Sequence, residues 1–94
     1  MNAYEIAHQL SKLTTNQQRK QFINKMVDEL ASITGRTVVK QEIAIDERFG
    51  NTNFLLPSGA QNPLIISAHY DAFLIGGETT TPGANDNGSG IGAL

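Results

Sequence analysis

The sequence predicts an α/β fold, a mixed sheet flanked by helices. Three observations carry this. Apolar residues of the first third recur at helical spacing, those from Val39 to Ile45 alternate with polar ones, and Leu64-Ile65-Ile66-Ser67-Ala68 is a continuous apolar run. Ninety-four residues suffice for one small domain. Residues 1–35 read as leading helices and 36–94 as the start of an α/β domain. That domain is expected to be truncated at its carboxyl end, one incomplete domain in all.

Each element has a local cause. Asn2 with Glu5 and Thr15 with Gln18 have capping-box spacing, in which a side chain satisfies first-turn amides that have no helical partner. Ile6, Ala7, Leu10 and Leu13 then mark one helical face, and Phe22, Ile23, Met26, Val27, Leu30 and Ile33 a second. Gly35 suits a left-handed helix end. Val39, Ile43 and Ile45 predict a strand with one buried face. Asp46 to Asn51 carries turn chemistry, Thr52 to Leu56 predicts an antiparallel partner strand, and Pro57-Ser58-Gly59 ends it. The run Leu64 to Ala68 predicts a central, parallel strand covered on both faces. A loop from Ala72 to Ala84 follows, and Ser89 to Leu94 reads as the start of a helix.

Composition excludes several function classes. The net charge is -2 and the seven basic residues are scattered, so neither nucleic acid nor an anionic membrane surface is an expected partner. No apolar stretch approaches the ~20 residues of a membrane span. The absence of cysteine leaves only imidazole and carboxylate as strong metal ligands. Residues 1–13 lack a cationic start followed by an apolar run, so no secretory signal is expected and the cytoplasm is the expected location.

Candidate chemistry gathers beyond the apolar run. In open α/β sheets, ligands collect past the carboxyl ends of strands, where His69 and Asp71 stand. One imidazole nitrogen can bind a metal while the other donates to a carboxylate two residues away, which fixes the tautomer. The plainer reading is a polar pair ending a strand. Asp86 lies in a run of small residues before a helix, and a carboxylate there can bridge two cations ~3.5–4 Å apart. Its plainer reading is a helix cap.

Taken together, His69-Tyr70-Asp71, the Gly/Thr/Pro loop and Pro82-Gly83-Ala84-Asn85-Asp86-Asn87-Gly88-Ser89-Gly90 resemble the co-catalytic zinc aminopeptidases. These are metallopeptidase family twenty-eight, with glutamate carboxypeptidase II and glutaminyl cyclase relatives, and the direct resemblance covers about Asn53 to Leu94. The resemblance implies a zinc-exopeptidase fold, two zinc ions and a peptide substrate. It implies that His69 is a terminal zinc ligand, Asp71 the carboxylate that orients it, and Asp86 the bridging ligand. It also implies a cis peptide at Asp86-Asn87. A Glu-Glu pair, a further aspartate and a final histidine of the family's set are not found up to Leu94. Glu78 and His8 are not read as substitutes, because Glu78 precedes Asp86 and His8 lies on the leading helix. The 94 residues alone are therefore expected to be inactive.

Other readings stay open. One alternative is a non-catalytic binding domain of the same fold, against which the joint presence of His69, Asp71 and Asp86 argues; another is a glutaminyl-cyclase relative, although the string Asn85 to Gly90 looks more like the peptidases. Gly88-Ser89-Gly90-Ile91-Gly92 has G-x-G-x-G spacing, which differs from the G-x-G-x-x-G of dinucleotide sites. Asn87-Gly88-Ser89 matches a glycosylation pattern, read as coincidence without an export signal.

Overall fold

The computed structural model describes residues 1–72, 74–75, 78–79 and 82–94. Helix α1 spans Ala3–Ser11, and its Asn2 cap accepts a hydrogen bond from the Glu5 amide at 2.8 Å. Helix α2 spans Asn16–Thr34 and begins with the complete Thr15/Gln18 capping box. Gly35 ends it at φ 70°, a left-handed conformation that costs glycine nothing.

Strands β1 (Val39–Glu42) and β2 (Thr52–Leu55) pair antiparallel, with Val39 opposite Leu55 and Glu42 opposite Thr52. A single turn of 3-10 helix over Glu47–Phe49 connects them. Its lead-in is fixed by Asp46, which accepts from the Arg48 amide at 2.9 Å and pairs with the Arg48 guanidinium at 2.7 Å. Lys20 of α2 reaches the same connection, donating to Asn51 Oδ1 at 3.0 Å. Between Ala72 and Ala84, where a loop was expected, the short strands β3 (Leu74–Ile75) and β4 (Glu78–Thr79) pair antiparallel. The rest of that loop, residues 73, 76–77 and 80–81, lies outside the described residues. Helix α3 spans Ser89–Ala93, as the sequence predicts.

The core is helical. Ile6 and Leu10 of α1 meet Ile23 of α2, and Leu13, Phe22, Met26, Val27, Phe54, Tyr70 and Ile91 pack around them. These are the faces that helical periodicity selects, up to Val27. Beyond it the prediction fails, since Leu30 and Ile33 are exposed and α2 runs on past the core.

Two expectations for the sheet need correction. The strand over 39–45 has no buried face, because β1 is exposed throughout and Ile43 and Ile45 are exposed too. The run Leu64 to Ala68 forms no strand, and Leu64, Ile65 and Ile66 are 86%, 83% and 71% exposed. A strand exists only through hydrogen bonds to a neighbouring strand. Among the described residues β1 pairs with β2 and β3 with β4, and none pairs with this run. The architecture is therefore a small mixed helix and antiparallel-hairpin arrangement, compatible with α/β, with no parallel pairing among the described residues.

Tyr70 ties the chain after that run to β2. Its hydroxyl donates to the Thr52 carbonyl at 2.8 Å, and its ring lies 6.0 Å from that of Phe54. Gly50 makes room for it, since a Cβ there would stand 2.8 Å from the Tyr70 ring. Burial raises the Tyr70 phenol above its ordinary value, and the Asp71 carboxylate adds to the rise. The fold thus favours the neutral phenol. Its stabilisation is complete below the unfolded pKa of about 10 and is lost as pH rises through the higher folded value. Urea melts from pH 8 to 11 should show stability falling with alkali. Tyr70→Phe should cost about 1 kcal/mol at neutral pH and remove this group's part of the alkaline loss.

Candidate metal centre

His69, Asp71 and Asp86 are brought together by two chain segments that meet at a buried clamp. The first segment alternates. Tyr70 points to β2, while His69 and Asp71, two residues apart, meet each other. The His69 Nδ1 lies 3.0 Å from Asp71 Oδ1 and 3.2 Å from the Asp71 carbonyl oxygen. Both neighbours only accept, so Nδ1 carries the proton and donates. Nε2 points the other way, 3.2 Å from Asp86 Oδ1.

The second segment arrives from Pro82. Gly83 has φ 75°, and the Gly88 amide reaches back to its carbonyl at 2.8 Å, closing a wide turn over Ala84–Gly88. The turn is bent at Asp86 and Asn87, whose φ/ψ are -116/85° and -134/35°. The peptide between them is cis, as the resemblance implies. The bend swings the Asp86 carboxylate outward, where it is 85% exposed on the side of His69.

The glycines after Asp86 serve packing. A Cβ on Gly88 would meet Ala7 Cα at 3.3 Å, and one on Gly92 would overlap Ala3 of the same helix. A Cβ on Gly90 would collide with the Asn87 amide. This alternation lets α3 lie directly on α1 and accounts for the G-x-G-x-G spacing without a nucleotide.

Two residues that sequence reasoning passed over close the arrangement. Asn16 and Arg19, on the first turns of α2, are each 1% exposed. The Asn16 side chain accepts from the Ala72 amide at 2.8 Å and donates to the Ala72 carbonyl at 3.1 Å, as a neighbouring strand would. It also donates to the Arg48 carbonyl at 2.9 Å. Arg19 donates to the carbonyls of Leu13 at 2.7 Å and Pro82 at 3.3 Å. Burial lowers the Arg19 guanidinium pKa, and attraction to the Asp71 carboxylate partly restores it. Ala72 and Gly83 touch, a Cβ on Gly83 falling 3.3 Å from that of Ala72. The sequence places Asn16 and Arg19 at i and i+3 on the side that leads into the apolar Phe22/Ile23 face, but their burial depends on partners 56 and 63 residues away.

The donor set suits a cation in part. Two ligands of one tetrahedral zinc, each about 2.0–2.1 Å from it, stand about 3.3 Å apart. The 3.2 Å between Nε2 and Asp86 Oδ1 fits that spacing, as it also fits a shared proton. Asp71 stands behind the ring, outside any such sphere. Among the described residues no group of three or more histidines and acids is gathered around one point. His8 is elsewhere, stacked on Tyr4 at 6.0 Å, and the Glu78 side chain lies outside the described residues.

Residues 51–94 match the model of peptidase family M28. No curated protein and no solved structure matches the chain. No helix among the described residues is long and apolar enough to cross a membrane.

Gly83 and Gly35 allow a comparison. Both have positive φ, yet only Gly83 has a neighbour in reach of a new methyl group. Alanine at either should cost about 1–2 kcal/mol for the left-handed backbone. Gly83→Ala should cost more and should shift the His69 ring resonances, which Gly35→Ala should leave in place. Urea melts and side-chain nitrogen spectra read both.

Proposed function

We propose that residues 1–94 are the amino-terminal portion of a zinc-dependent exopeptidase, an aminopeptidase, acting on a peptide substrate. The observation that carries this is His69, held by Asp71 on one nitrogen and facing Asp86 with the other, inside the segment that matches a peptidase family. His69 offers the Nε2 lone pair to one zinc. Asp71 keeps the proton on Nδ1, which fixes the tautomer and makes Nε2 the better donor. Asp86, whose Oδ1 lies on the His69 side, would supply a second, carboxylate ligand there. Zinc, when bound, would acidify a water and polarise the scissile carbonyl.

This reading sets the order of effects. Competition with a chromophoric chelator should show weak zinc binding by residues 1–94. His69→Ala and Asp86→Ala should abolish it, and Asp71→Asn should weaken it ~10–100-fold. Zinc affinity indifferent to all three changes would end the proposal.

Two protein ligands cannot complete two four-coordinate zinc sites. Zinc-loaded residues 1–94 should therefore release no nitroaniline from an aminoacyl-nitroanilide beyond a His69→Ala control. Turnover above that control would mean that the site is completed within these residues.

A further inference from the structure

The metal-centre residues lie in the segment that matches the peptidase family, but the groups that hold their two chain segments together do not. Asn16 and Arg19 are on α2, outside residues 51–94. We infer that Asn16 and Arg19 are positioning residues of the metal centre, setting the separation of His69 from Asp86 by clamping Ala72 to Pro82. This rests on the metal reading above and extends it to a helix that carries no ligand.

Between the two segments, Leu74–Ile75 (β3) pairs with Glu78–Thr79 (β4). Asn16 fixes one end by pairing with both backbone groups of Ala72, next to Asp71. Arg19, one helical turn on, fixes the other by its bond to Pro82, next to Gly83. Both side chains are buried, and loss of Asn16 would leave the buried backbone groups of Ala72 unsatisfied. The spacing of Asn16 and Arg19 along one rigid helix is thereby copied onto the two segments. Because Asp71 and Asp86 are the first carboxylates beyond the clamped residues on either side, a shift at the clamp passes directly to the His69 pair. The Arg19 cation also faces the Asp71 carboxylate electrostatically.

The test uses the whole chain and reads the pair without metal first. Asp86→Asn should move the His69 Nε2 nitrogen resonance, because the two groups are 3.2 Å apart. The same change made together with Asn16→Ala or Arg19→Met should no longer move it, if the clamp sets the separation. Ile23→Val, a core change on the same helix, is the control and should preserve the effect. Far-ultraviolet circular dichroism establishes which variants keep their helices, and Arg19→Met decides the matter if Asn16→Ala does not fold. Zinc chloride titration should then show affinity reduced ~10–100-fold by either clamp variant and little changed by Ile23→Val. An undiminished Asp86→Asn effect in both clamp variants would overturn the inference. So would its equal loss in Ile23→Val, which would reduce the clamp to general stability. If zinc affinity ignores His69→Ala while the spectroscopic coupling still depends on the clamp, the metal reading falls and the positioning role stands.

Discussion

The arrangement depends on one buried amide. Asn16 supplies a donor and an acceptor to the backbone of Ala72, doing for that residue what a neighbouring strand does in a sheet. A buried peptide group without partners costs about 1–3 kcal/mol, so the chain cannot move away from Asn16 cheaply. Everything near the site is measured from that contact. Asp71 precedes it, Gly83 leans on Ala72 from the other side, and Arg19 one turn along the helix secures Pro82.

Backbone hydrogen bonding also explains what the fold lacks. The described strands form two separate antiparallel pairs, and the most apolar run of the chain stands outside both with its side chains in water. The segment that follows is nevertheless ordered by side chains. Tyr70 bonds to Thr52 of β2 and Ala72 to Asn16 of α2. His69 and Asp71 are thus held by anchors on alternate residues, without a sheet beneath them. On the other side, α1 and α3 approach through Ala3, Ala7, Gly88 and Gly92, and the smallness of these residues brings the Asp86 turn against the helical core. Polar anchors hold one half of the site and close apolar packing the other.

Legibility in the sequence follows the range of the interactions. The helix caps at Asn2 and Thr15 and the end at Gly35 involve groups within four residues of one another, and they form where the pattern places them. The hairpin of β1 and β2 was readable from the turn residues between two strand-forming stretches, although its expected buried face was not borne out, since burial needs a partner surface that local alternation cannot supply. His69 and Asp71 announce themselves through adjacency, and Asp86 through the small residues around it. Asn16 and Arg19 are ordinary surface types at the start of a helix. Their burial follows from segments 56 and 63 residues away, which carry no mark of them in the sequence.

The sequence by itself determined the helices, their inward faces and the identity of the groups able to hold a metal, because periodicity, capping and side-chain chemistry are local properties. Tertiary structure alone decided that His69 meets Asp86, that α2 fastens the connection between them, and that Leu64 to Ile66 remain in solvent. Each of these turns on which distant backbone groups find partners. A hydrogen bond is satisfied by whatever donor or acceptor the fold brings within about 3 Å, and no spacing along the chain specifies that encounter.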